Sequence, residues 1–149
     1  MSRSELADHV IDVAAIMAEV SAAGNGAVAT FVGTVRNTSD GRPVTGISYS
    51  AYTGMAVREM DAIIREAVAV SSGVEVVAVH RVGELLVGDV CVAIAAGHAH
   101  RGPAFDACRY VIEEIKKRVP IWKRERFTDG STEWVNACPP APHAATGQS

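Results

Sequence analysis

The sequence predicts an α+β fold, with helices packed on a largely antiparallel, mixed sheet. Two observations carry this reading. Stretches of strand character at 27–36, 47–52, 74–82, 87–96, 121–127 and 132–137 are interspersed with three stretches of helical periodicity. Short turn signals, at 83–86 and at Asp129-Gly130, allow strands to return antiparallel. A chain of 149 residues is long enough for one domain with its own core, expected over 1–137. The proline-rich segment 138–149 (CPPAPHAATGQS) has the composition of a disordered tail.

Each element has its own justification. Asp12 is placed to cap a first helix running to about residue 22, with Val13, Ile16, Met17 and Val20 on one face. Gly24-Asn25-Gly26 ends it. Residues 27–36 are β-rich. Residues 37–46 (NTSDGRPVTG) are polar, with two glycines and a proline, and read as a mobile loop. A strand at 47–52 leads into a helix at 53–70 with Met60, Ile63, Ile64 and Ala67 inward. Tyr49, Tyr52 and Met55 read as packing residues. Strands at 74–82 and 87–96 flank the 83–86 connection. A helix at 103–119 has Pro103 in its first turn and is stopped by Pro120. Its expected buried stripe is Phe105, Cys108, Ile112, Ile115 and Val119. The last two strands form a hairpin.

Bulk properties exclude several classes. Net charge is −3, which argues against a general nucleic-acid binder. The charge is uneven: residues 98–126 hold eight Lys/Arg against four Asp/Glu, a balance of +4, and the rest balances at −7. A basic site on an acidic body suits a small anion or an acidic partner tail. The cysteines, Cys91, Cys108 and Cys138, are odd in number and have no C-x-x-C spacing, so a reducing, cytoplasmic setting is expected. No apolar signal segment follows Met1, and 20–35 is broken by glycines, so no membrane span is expected.

The most informative residues are the lysines. There are three, Lys116, Lys117 and Lys123, and elsewhere every fixed cation is arginine. Arginine stays charged, whereas a lysine amine can exchange a proton. At 100° per residue Lys117 points away from the expected stripe and Lys116 falls at its edge, in the direction of Arg109. Beyond Pro120, alternation puts Lys123 and Glu125 on one strand face and Trp122, Arg124 and Arg126 on the other. An amine between a carboxylate and another cation can be tuned as a proton donor or acceptor. The segment 97–103 (GHAHRGP) leads into a helix N-terminus, where His100 and Arg101 can join free N–H groups to hold a phosphate or carboxylate. His98-x-His100 lacks a third metal ligand other than His80, so we expect no metal, with His98 structural. Arg36 ends a strand beside the 37–46 loop and adds another fixed charge. The set contains no serine or cysteine in a nucleophile context and no glycine-rich nucleotide loop. It describes chemistry on a phosphorylated small molecule with a nucleophile brought from elsewhere.

Taken in order, Phe31-Val32-Gly33-x-Val35-Arg36-Asn37, His80-Arg81-Val82-Gly83-Glu84-Leu85 with Gly88-Asp89, His100-Arg101-x-x-Ala104-Phe105, Lys116, and Pro120-Ile121-Trp122-Lys123-Arg124-Glu125 resemble the large, catalytic subunit of molybdopterin synthase. The resemblance runs from about 12 to 135. It implies an α/β hammerhead-type fold with a small additional β subdomain. It also implies a homodimer that binds a small ubiquitin-like sulfur-carrier subunit at each end, giving a heterotetramer. The implied activity moves sulfur from the carrier's C-terminal thiocarboxylate to cyclic pyranopterin monophosphate (precursor Z), forming the molybdopterin dithiolene, with no cofactor. Substrate contacts are implied for Thr34, Val35, Arg36, His100, Arg101, Lys116, Lys123, Arg124 and Glu125, with Lys116 and Lys123 catalytic. Some relatives carry an arginine near the position of Cys138, so Cys138 is not assigned to the site. The competing reading is a non-catalytic, phosphometabolite-binding regulatory dimer. An RNA-binding module is disfavoured by the acidic remainder and the lack of an aromatic stacking platform.

Overall fold

The computed structural model of the chain describes residues 2–136. The expected tail at 138–149, and Cys138 with it, lies outside these residues. The elements in order are β1 (Arg3–Ala7), α1 (Val13–Glu19), β2 (Ala27–Thr34), β3 (Thr38–Ser39), β4 (Arg42–Ala51), α2 (Thr53–Val70), β5 (Glu75–Arg81), β6 (Gly83–Leu86), β7 (Val90–His98), α3 (Arg101–Arg118), β8 (Ile121–Phe127) and β9 (Thr132–Asn136). The α+β expectation holds.

Two sheets form. The first has the order β1-β5-β7-β2, with β1 parallel to β5 and the other pairs antiparallel. Its central strands are buried on both faces, which is why they read as unbroken apolar runs. Val76, Ala78, Val92 and Ile94 face α2 and α3. Val77, Val79, Ala93 and Ala95 face the other way, onto Ile16 and Val20 of α1 and the turn after it. Asp12 caps α1, its carboxylate accepting the Ala15 N–H at 3.1 Å. Gly97 allows the close approach of this layer: a Cβ there would stand 2.1 Å from the Val20 carbonyl oxygen.

The second sheet is organised on β4, which pairs with β8 over its length, while β9 extends the sheet beyond β8. On the opposite side β4 pairs with β3 and β6. Arg126 ties three of these strands together, donating to Glu84, Ser48 and the Leu85 carbonyl.

Four expectations are corrected. Residues 37–46 are not an open loop. They fold into the β3–β4 hairpin, whose turn at Asp40 and Gly41 has φ of 50° and 79°. Both are left-handed values, as an Asp-Gly hairpin turn requires. Residues 83–86 are not a bare connection but a strand hydrogen-bonded to β4. α1 ends at Glu19 rather than near 22, and Met17 is exposed. α3 starts at Arg101, and the face it buries is Ala104, Ala107, Cys108, Val111 and Ile115. Phe105 is 62% exposed and Ile112 half-buried. Cys108, Ile115 and Val119 are buried as expected; the small side chains of Ala104 and Ala107 let the helix sit close to the sheet, and Phe105 does not mark the contact face. In addition β1 forms at residues that carry no strand signal of their own.

Candidate functional site

A cavity of about 160 Å³ opens where the two sheets meet the end of α3. β2 contributes Phe31, Gly33 and Thr34, and the chain just beyond it contributes Arg36 and Thr38. β4 adds Ile47 and Tyr49, β7 adds Cys91 and Val92, α3 adds Lys116, and β8 adds Lys123 and Glu125. Pairing explains the convergence. In the β4–β8 ladder Tyr49 lies opposite Lys123 and Ile47 opposite Glu125, so all four side chains share a face. Pro120 separates Lys116 from Lys123 in sequence, and the turn of chain there brings both into one cavity.

The electrostatics follow from this placement. Burial holds the Lys123 amine below the ordinary lysine range; Lys116 and Arg36 act in the same sense, and Glu125 and Cys91 oppose it. Glu125 is itself buried. Other cations of the same region are engaged in structure. Arg118 pairs with Glu59, Glu66 and Glu114, Lys117 with Glu114, Arg109 with Glu113, and Arg126 with Glu84. Among the described residues no such salt bridge engages Arg36, Lys116 or Lys123. Behind the amines lie neutral groups. The Tyr49 ring meets His80 edge-on, with centroids 5.1 Å apart. Burial pulls His80 down to about 4, with the Lys116 charge adding to the effect and the hydrogen bond to the Arg81 carbonyl opposing it. The Cys91 thiol is buried and donates to the Gly33 carbonyl at 3.4 Å, a structural tether and not a nucleophile's arrangement.

Of the residues singled out in the sequence, Thr34, Arg36, Lys116, Lys123 and Glu125 come together. Val35 does not: it is buried in the main core. Arg124 points to the other face of β8, its guanidinium carbon 5.4 Å from the centre of the Trp134 ring. His100 and Arg101 open α3, fifteen or more residues before Lys116, which puts them about 22 Å away along the helix axis. Within one chain they do not share the cavity. His98 is structural as expected. Its Nδ1 accepts the His100 backbone N–H at 3.0 Å, which leaves Nε2 to donate to the Ser72 carbonyl at 3.1 Å. Tyr49, Thr38 and Cys91 are the residues sequence reasoning missed, since they enter only through strand pairing. Among the described residues no three His, Cys, Asp or Glu cluster as metal ligands, and no helix is long and apolar enough to cross a membrane.

Comparison with known proteins places this chain in a family. The family model described as "MoaE protein" matches residues 6–118. A molybdopterin synthase catalytic subunit of Oryza sativa subsp. indica is 46% identical over 123 residues, covering 83% of this chain and 58% of the rice protein. The chain thus spans less than two thirds of that relative's length. Molybdopterin synthase catalytic subunit 1 of Mycobacterium tuberculosis is 42% identical over 134 residues, covering 90% of each chain. The crystal structure of molybdopterin synthase from Staphylococcus aureus superposes with a TM-score of 0.85 at 34% identity, over 91% of this chain and 98% of that one. With a cavity that gathers both lysines, Arg36 and Glu125 on the matching fold, the chain belongs to the MoaE protein family, that of the large, catalytic subunits of molybdopterin synthase.

Proposed function

We propose that this chain is the catalytic subunit of a cytoplasmic molybdopterin synthase. It takes sulfur from the thiocarboxylated C-terminus of a small ubiquitin-like carrier and delivers it to precursor Z, forming the dithiolene. The observation that carries this reading is the pairing of two amines in one cavity, Lys116 and Lys123, with no internal nucleophile in an activated setting. The sulfur nucleophile is the carrier's. A Gly-Gly tail, having no side chains, suits a narrow cavity of about 160 Å³. Arg36 and Lys116 attract its charged end. Lys123, partly desolvated and within the field of Glu125, exchanges protons as the cyclic phosphate opens and sulfur adds. Thr34 lines the same cavity.

His100 and Arg101 enter this reading through a second copy. β2 is an edge strand, and the outer side of α3 exposes Phe105 next to Phe31. A two-fold mate packed antiparallel over this side would bring its His100 and Arg101 toward the Lys116 end, where they would hold the substrate phosphate. Two such chains with one carrier each make the heterotetramer.

Reconstitution tests the proposal: purified chain, thiocarboxylated carrier and precursor Z, with assay for molybdopterin. Lys116→Arg and Lys123→Arg keep charge and remove the exchangeable amine. Each is expected to abolish product formation while carrier binding persists. Full turnover in both would remove the catalytic role and leave a regulatory anion-binding dimer as the better account.

A further inference from the structure

Lys123 is flanked by a residue that the cation pattern does not explain. Tyr49 lies directly opposite it in the β4–β8 ladder, on the same face of the sheet and in the same cavity. Directly opposed residues have Cβ atoms about 4.5–5.5 Å apart, so a tyrosine ring there covers the lysine stem. The ring cannot swing away. It is 6% exposed, and its edge contact with His80 is fixed because His80 donates from Nδ1 to the Arg81 carbonyl at 2.9 Å.

We propose that Tyr49 is a positioning residue for the Lys123 amine, a dry wall that holds the stem in place and keeps water off one side of it. The inference rests on the reading of Lys123 as the proton-exchanging amine, and it assigns the origin of that amine's character. The groups facing Lys123 are Tyr49 of β4, Glu125 of its own strand, Cys91 of β7, Lys116 of α3 and Arg36 beyond β2, with His80 of β5 behind the tyrosine. Two of them stay uncharged at neutral pH. Burial drives the Tyr49 phenol well above its ordinary value, with Cys91 and Glu125 adding to the effect, and His80 lies at about 4. The wall thus offers no charge to compensate the ammonium form, and its bulk denies the ammonium hydration.

The test exploits the scarcity of lysine. With three in the chain, isotope-labelled amines can be titrated individually by NMR in the free protein. Tyr49→Ser admits water beside Lys123 and is expected to raise its titration midpoint toward the ordinary lysine value of about 10.4. Tyr49→Phe keeps the ring and is expected to leave the midpoint near that of the parent. Should the serine variant fail to fold, Tyr49→Thr, better suited to a strand, replaces it. A Lys123 midpoint unmoved in a folded serine or threonine variant overturns the proposal, as does a shift in the phenylalanine variant as large as that in serine. Because this readout needs neither carrier nor substrate, its outcome is separate from the reconstituted assay. That assay alone decides whether Lys123 serves sulfur transfer.

Discussion

Arg101 and Lys116 share α3 but stand at opposite ends of it, about 22 Å apart along the axis. A site that uses both must draw them from two chains. Mixing two inactive variants, Arg101→Ala and Lys116→Ala, should therefore restore activity. In a random mixture half the dimers are hybrid, and each hybrid has one intact site, so about a quarter of parent activity should return. The check is turnover before and after denaturing and refolding the mixture together. A mixture that stays inactive after confirmed exchange would place both residues in the same chain's function or remove Arg101 from the site.

Glu125 is the negative charge that opposes the depression of Lys123. Replacing it with glutamine should lower the amine's midpoint further, because less favours the charged form. If the neutral amine is the working base, the rising limb of rate against pH should move to lower pH in Glu125→Gln. The pH profile of kcat in the reconstituted assay reads this directly, and a limb moving upward contradicts the assignment.

His80 makes the fold sensitive to acid. In the unfolded chain it titrates near 6.5, and in the folded chain near 4. Between these values the unfolded state binds the proton and the folded state does not. The contribution of His80 to stability is thus fully present above about 6.5 and is lost as pH falls toward about 4. The difference corresponds to about 3 kcal/mol. Urea denaturation at several pH values should show the parent losing about that much more than His80→Gln over this window.

The boundaries of α2 were legible because its apolar spacing is regular from Met60 to Ala67, with its one glycine, Gly54, at the start. The β3–β4 hairpin was not, because Gly41, Pro43 and Gly46 look like loop residues one by one. Only the pairing partners show that Gly46 is required: a Cβ there would lie 2.5 Å from the Leu85 carbonyl oxygen. The α3 stripe is legible at Cys108, Ile115 and Val119, which are buried, but not at Ala104 and Ala107, small residues on the sheet-facing side, while Phe105 beside them points outward into a groove of about 400 Å³ with Phe31 and Ile112. That Lys116, Lys123 and Glu125 stand out together was legible from lysine scarcity and strand alternation, and they line one cavity. Tyr49 was not, since its partnership with Lys123 exists only once β4 and β8 are in register. The order of motifs along a chain carries no distance, so His100 and Arg101 were grouped with residues that one protomer keeps far away.

Two glycines give opposite expectations for the same substitution. Gly97 sits in β7 where the end of α1 presses on the sheet, and an added Cβ would meet the Val20 carbonyl oxygen at 2.1 Å. Neither backbone can yield without moving a whole layer, so Gly97→Ala should cost roughly 1–3 kcal/mol, the range for forcing atoms into a filled core. Gly102 lies in the first turn of α3, where an added Cβ would meet nothing within 4 Å and the backbone is not left-handed. There alanine removes freedom from the unfolded chain and improves helix propensity, so Gly102→Ala should gain up to about 1 kcal/mol. Thermal midpoints of the two variants, measured beside the parent at one protein concentration, should move apart in these directions. A Gly97→Ala variant as stable as the parent would show that α1 is not held against β7 at this point.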